Sequence, residues 1–218
     1  MQLINKEQVK DWLSVYFIMG SPNCRKDPKE TLEEAIEGGA TLFQFREKGA
    51  NALTGEKKWM LAAELQDVCR RQAIPFLVND DIELAVKLEA DGVHIGQEDA
   101  ALSDVRKRLP GRIIGVSVHT MEEAIKAIDE GADYLGIGPV FPTATKADAQ
   151  PVQGTKLIEE IRSAGLSIPI VGIGGIQAEN AAQVVSSGAD GVSVITAISQ
   201  AASPREAAAQ LKKAILEN

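Results

Sequence analysis

The sequence predicts an α/β protein, a (β/α)8 TIM barrel, on three observations. Eight short apolar, β-branched runs alternate with longer stretches of helical periodicity. The runs are continuously apolar rather than strictly alternating, which suits parallel strands covered by helices. The 218 residues show no linker, low-complexity run or composition break, so one domain spanning 1–218 is expected. An open doubly wound sheet is the rival arrangement.

The first twelve residues are polar and amphipathic and predict an extra N-terminal helix ahead of strand one. Strands are then expected at 14–19, 41–46, 75–79, 92–95, 113–117, 134–138, 168–173 and 191–195. The intervening helices are expected at 28–38, 55–72, 82–88, 102–108, 121–130, 154–164, 178–187 and 204–216. A loose repeat marks several helix-to-strand junctions. It reads Glu37-Gly38-Gly39-Ala40-Thr41, Glu89-Ala90-Asp91-Gly92-Val93, Glu130-Gly131-Ala132-Asp133-Tyr134 and Ser187-Gly188-Ala189-Asp190-Gly191. Each copy puts a glycine at or near a helix C-terminus just before a strand, the expected stop signal.

Composition narrows the function. Lys and Arg number 23 against 31 Asp and Glu, a net charge of -8, which disfavours a nucleic-acid or anionic-membrane binder. Cys24 and Cys69 are too few for a disulfide framework and lack metal-ligand spacing, so free thiols in a reducing compartment are expected. No run approaches the roughly 20 apolar residues of a spanning helix, and no signal peptide is evident. The expected location is the cytoplasm. The oligomeric state stays open, a homo-oligomer included.

Barrels of this type carry their reacting groups at the carboxyl ends of the strands. Strand two ends in Gln44-Phe45-Arg46-Glu47-Lys48, where Gln44, Arg46 and Lys48 share one face of an extended segment. Strand three ends in Asn79-Asp80-Asp81, strand four runs from His94 to Gln97 and Asp99, and strand five ends in Ser117-Val118-His119. Strand six runs into a long loop holding Thr143, Ala144, Thr145 and Lys146. Its length and composition suggest a lid that excludes water. Strand seven ends in Gly172-Ile173-Gly174-Gly175 and strand eight reaches Ile195-Thr196.

The glycines after strand seven let backbone N–H groups approach an anion, although a plain tight turn would look the same. Arg46, Lys48 and Lys146 supply positive charge; alone, Arg46 and Lys48 could equally pair with Asp80 or Glu47. Asp80 and Asp99 suit a hard cation such as Mg²⁺, which is held by one or two carboxylates, waters and phosphate oxygens. Helix capping competes for the acids and suits Asp81 better than Asp80. Together these groups point to a pyrophosphate–metal ligand. His94 and His119 lack triad or metal spacing and are read as packed, hydrogen-bonded side chains.

Taken together, Gln44-Phe45-Arg46-Glu47-Lys48, Asn79-Asp80, the segment from His94 to Asp99, Ser117-Val118-His119-Thr120, the run from Gly138 to Lys146, and Gly172-Ile173-Gly174-Gly175-Ile176 resemble the thiamine phosphate synthase family. The likeness runs from about Val15 to Ala202. It implies an enzyme that joins a hydroxymethylpyrimidine pyrophosphate to a thiazole phosphate or its carboxylate, giving thiamine phosphate and pyrophosphate. By the same resemblance, residues 44–48 (Phe45 and Glu47 included), Asn79, Ser117 and Lys146 bind the pyrimidine pyrophosphate, Gln44 meeting the ring. Asp80 and Asp99 hold Mg²⁺. Thr143, Ala144, Thr145, Gly175, Ile195 and Thr196 hold the thiazole phosphate, and Arg46, Lys48, Ser117 and Lys146 carry catalysis. Thr196 departs from the serine expected in many relatives but keeps a hydroxyl. A related tautomerase would place a histidine after the glycine ending strand six, where this chain has Pro139. A phosphorylated-metabolite sensor would have little use for the cations and acids together, and a sugar-phosphate isomerase or epimerase would need an acid/base pair that is not evident here.

Overall fold

The computed structural model describes residues 5–143 and 151–217. Helix α1 (Lys6–Leu13) leads into β1 (Val15–Met19), α2 (Pro28–Glu37), β2 (Leu42–Phe45), α3 (Gly55–Arg71) and β3 (Phe76–Asn79). There follow α4 (Ile82–Lys87), β4 (Gly92–Ile95), α5 (Leu102–Arg108), β5 (Ile113–Val118), α6 (Met121–Asp129) and β6 (Tyr134–Ile137). The chain ends with α7 (Lys156–Ser163), β7 (Ile170–Ile173), α8 (Ala178–Ser186), β8 (Gly191–Val194), α9 (Thr196–Ser199) and α10 (Pro204–Leu216).

The strands form a closed parallel barrel in sequence order, with β1 returning to β8 in a register that sets Tyr16 beside Ser193. The expected extra helix is α1. Six strands begin or end one or two residues inside their expected limits, β4 matches them, and β5 runs one residue past its expected end. Pro75 and Pro169 have no N–H to give the ladder, so β3 and β7 start just after them. Arg46, Gly138 and Ile195 lie just past the strand ends, where the chain turns outward. Helix α9 and a 3-10 turn at Ser21–Asn23 were not anticipated; three or four residues carry no readable period.

Alternation along each strand sorts side chains into two layers. The outward layer, including Phe17, Phe43, Phe45, Phe76 and Val78, packs beneath the helices. The inward layer holds Tyr16, Ile18, Leu42, Leu77, Ile113, Tyr134 and Val171, and Val9 and Leu13 of α1 join it. Helix α1 therefore plugs the barrel where the strands begin.

That end also explains the repeat. Thr41 Oγ1 accepts the Val15 N–H at 2.9 Å, and Asp91 accepts that of Phe76 at 2.9 Å. Asp133 accepts the Ile114 N–H and Asp190 that of Ile170, both at 2.8 Å. Before every even-numbered strand, one side chain thus receives an N–H at the start of the preceding odd-numbered strand. Two of these acids are reinforced. Arg106 donates to Asp133 at 2.7 Å and to two carbonyls. Arg162 donates to Asp190 at 2.8 Å and to three. A left-handed glycine (Gly39, Gly131 or Gly188) follows three of these helices, while Glu89 takes that conformation after α4 and Gly92 opens β4, a departure from the expected glycine stop. Two residues beyond each left-handed position, Thr41, Asp91, Asp133 or Asp190 ties two strands together.

Candidate active site

A cavity of about 590 Å³ opens at the opposite end, within the roughly 300–1,000 Å³ of small-molecule sites. Its wall carries Arg46, Lys48, Asn79, Asp80, Asp99 and Ser117 on the side of β2 to β5. Facing them are Thr143, Gly174, Gly175, Ile195 and Thr196 from the loops after β6, β7 and β8. Ala144, Thr145 and Lys146 lie outside the described residues.

Alternation past β2 brings the Arg46 and Lys48 side chains to the cavity and turns those of Phe45 and Glu47 away from it. Phe45 is buried and stacks on Phe76 with ring centroids 6.4 Å apart. The Glu47 carboxylate accepts the Ser21 N–H at 2.8 Å, the Ser21 hydroxyl at 2.6 Å and the Leu53 N–H at 2.7 Å. It fastens the loop after β1 to the loop after β2. Both residues border a recess of about 140 Å³ behind Lys48 and Asp80. Gln44 is buried. It lies beneath the cavity floor and donates its amide N–H to the Tyr16 hydroxyl.

The two acids after β3 divide as capping chemistry suggests. Asp81 accepts the Leu84 N–H at 3.0 Å at the start of α4 and pairs with Lys58 at 2.7 Å. Burial pushes its carboxyl up, but the Lys58 ammonium and the Leu84 N–H outweigh this and hold it below the usual carboxylate value. Asp80 takes a left-handed φ of 57°, a conformation that costs a non-glycine residue energy and is tolerated best by Asn and Asp. Its backbone N–H is held by the His94 carbonyl at 3.0 Å, and its carboxylate pairs with Lys48. Asp99 curls back so that one oxygen accepts the Gly96 N–H at 2.7 Å.

Across the cavity, Gly175 has φ 64° and lies under the loop after β6, where an added Cβ would fall 2.8 Å from the Phe141 Cβ. The loop runs along the β7 turn through Val140 N–H to Ile173 O and Phe141 N–H to Gly174 O, at 2.9 and 3.0 Å. The cavity wall also includes residues that strand-end reading did not assign to the site: Gln97, Gln153, Ser193 and both histidines. His94 bonds Tyr134 through Nδ1 at 2.9 Å and Ser117 through Nε2 at 2.8 Å. His119 donates its backbone N–H to Glu123 at 2.7 Å.

A model of the family described as thiamine monophosphate synthase matches residues 15–198. The chain belongs to that family. It is 58% identical to a Bacillus cereus thiamine-phosphate synthase over 97% of this chain and 96% of that one. The identity to the Bacillus velezensis thiamine-phosphate synthase is also 58%, over 99% and 96%. A solved thiamine phosphate pyrophosphorylase from Pyrococcus furiosus superposes with a TM-score of 0.86 at 37% identity, covering 96% of this chain and 98% of that one. Family membership makes the chain an enzyme of thiamine biosynthesis, a transferase. No described helix is long and apolar enough to cross a membrane.

Proposed function

We propose that the chain transfers a pyrimidinylmethyl group from hydroxymethylpyrimidine pyrophosphate to a thiazole phosphate, releasing pyrophosphate. The observation that carries this reading is the shared opening: Arg46, Lys48, Asp80, Asp99 and Ser117 face the glycine turn after β7 and the start of α9 across one cavity. A diphosphate fits the charged side. A second phosphate fits the other, where the glycine turn lets backbone N–H groups approach an anion.

In the proposed reaction the bond from the methylene carbon to the diphosphate oxygen breaks, and the diphosphate leaves with the electron pair. The aminopyrimidine delocalises the resulting positive charge. The thiazole nitrogen then gives its lone pair to that carbon, forming the carbon–nitrogen bond. Arg46 and Lys48, joined by Lys146 from beyond the described residues, stabilise the charge gathering on the departing oxygens. Fixed charges of this kind contribute several kcal/mol when water is excluded, and holding two rings in line contributes more.

Asp80 and Asp99 are the residues that would hold Mg²⁺. Two carboxylates on one wall, with no cluster of three or more His, Cys, Asp or Glu donors among the described residues, suit an ion that takes its other ligands from water and diphosphate. When bound, that ion supplies Lewis-acid neutralisation of the leaving group.

Incubating purified protein with both substrates and Mg²⁺ tests the proposal. Equal amounts of pyrophosphate and thiamine phosphate are expected, with neither formed when a substrate or the metal is omitted. Pyrophosphate release that ignores the thiazole phosphate, or no turnover with all components present, would overturn it.

A further inference from the structure

A chain of five polar side chains crosses the barrel interior under the cavity floor. The Gln44 amide N–H donates to the Tyr16 hydroxyl. Tyr16 and Tyr134 share a hydrogen bond at 2.8 Å, Tyr134 meets His94 Nδ1 at 2.9 Å, and His94 Nε2 meets Ser117 Oγ at 2.8 Å. The members come from β2, β1, β6, β4 and β5, so the chain spans the barrel from one wall to the other. Gln44, Tyr16 and Tyr134 are each at most 1% exposed, whereas His94 and Ser117 reach the cavity.

The space for this chain is built in. An added Cβ at Gly115 would sit inside the Tyr134 ring, and one at Gly136 would come within 2.9 Å of His94 Cε1. Two inward strand positions are thus left without side chains where the tyrosine and the histidine pass.

Proton bookkeeping gives the chain a direction. An amide nitrogen only donates, so the Tyr16 oxygen accepts from Gln44 and its own proton goes to the Tyr134 oxygen. Tyr134 then has its proton for His94 Nδ1, which must be the bare, accepting nitrogen. Neutral imidazole carries one proton, here on Nε2, and it points at Ser117 Oγ. The Ser117 proton is left for the cavity. Burial pushes both phenols well above their usual range, so they stay protonated links.

We propose that His94 is a positioning residue: the chain Gln44–Tyr16–Tyr134 fixes it as the Nε2–H tautomer, and it holds Ser117 as a hydrogen-bond donor toward the bound substrate. The acceptor class follows. Ser117 offers its proton to a diphosphate oxygen or a bare ring nitrogen, and an N–H donor reaches it only through the second lone pair of the hydroxyl. Only this acceptor assignment rests on the function proposed above; the tautomer stands on the barrel interior alone.

Two measurements separate these claims. Nitrogen-15 NMR of the histidine rings in ligand-free protein is expected to show His94 protonated at Nε2 and bare at Nδ1 near neutral pH. Protonation at Nδ1 would overturn the assignment whatever the enzyme turns over. The second is a double-mutant cycle on single-turnover pyrophosphate release. Tyr134→Phe and His94→Leu are expected to slow release about 10-fold or more, the scale of one lost charge-stabilising hydrogen bond, with KM for either substrate nearly unchanged. In a Ser117→Ala background the same changes should cost less than about 2-fold; with Ser117 present, His94→Gln, which keeps an N–H near the Nε2 position, should be slowed less than His94→Leu. Equal losses in both backgrounds would mean that His94 does not act through Ser117. Tyr134→Phe removes one oxygen from a packed ring and keeps the cycle readable should His94→Leu fold poorly.

Discussion

The two ends of the barrel use similar residues to opposite purposes. Where the strands begin, acids and arginines are tied into the scaffold: Asp190 takes the Ile170 N–H and the Arg162 guanidinium, and Arg162 spends its other donors on carbonyls. Where the strands end, Asp80 and Asp99 border an open cavity, and Asp80 does so from a left-handed conformation. Charge in the floor satisfies backbone donors and closes the barrel. Charge in the mouth borders the cavity, Asp80 paired with Lys48 and Asp99 accepting the Gly96 N–H. Mutations should therefore separate stability from activity by end, as expected of barrels of this class.

The largest effect is expected at the mouth. Replacing Asp80 and Asp99 together by Asn should lower turnover by about 10³-fold or more, the order seen when transition-state charge stabilisation is lost, and should remove the Mg²⁺ requirement with it. Stability by urea unfolding should hold or rise, because Asn accepts left-handed φ readily and Lys48, about half exposed, rehydrates. Retained activity in the double variant would blur the distinction between the ends.

Next comes the floor. Asp190→Ala leaves the Ile170 N–H and Arg162 without their acceptor and should cost about 2–3 kcal/mol of stability, while turnover at a temperature below unfolding stays within about 2-fold. Thr41→Val removes one acceptor for Val15 N–H and one donor to the Trp12 carbonyl, for about 1–2 kcal/mol by the same measurement. A variant at either position that stays stable but loses its rate would contradict the division.

The smallest effect is a pH dependence. Asp81 has a folded-state value below its unfolded one, so its contribution to stability is present above the ordinary carboxylate range and fades as pH falls through the lowered value. Asp190 has the opposite sign. Burial raises its carboxyl despite the Ile170 N–H and Arg162, so its contribution is greatest in acid and is lost as pH rises through the raised value. Lys58→Met should flatten the acid limb of urea stability between about pH 5 and pH 3, by no more than about 0.5 kcal/mol because the pair is partly exposed to screening solvent. An unchanged limb would remove Lys58 as the cause.

Local rules read much of this from sequence. Period and turn residues placed the strands, and alternation set Arg46 and Lys48 on one face. Capping logic separated Asp81 from Asp80. The same alternation turns the Phe45 and Glu47 side chains from the cavity, Phe45 onto Phe76 and Glu47 onto Ser21 and Leu53. The floor ties and the interior chain were hidden for a different reason: their partners are distant. Thr41 reaches Val15 across 26 residues and Tyr16 reaches Tyr134 across 118, so neither is legible until the barrel closes. The repeat was visible as a helix stop, while the use of its Thr41, Asp91, Asp133 and Asp190 required the neighbouring strand.

Calorimetric titration of pyrophosphate tests most directly whether the mouth gathers cations and metal-binding carboxylates around a departing diphosphate. With Mg²⁺, wild-type protein should bind pyrophosphate at least about tenfold more tightly than without it, a difference of about 1.4 kcal/mol, and the Asp80→Asn, Asp99→Asn double variant should show no such gain. Metal-independent binding by the wild type, or the full gain in the double variant, would contradict the account.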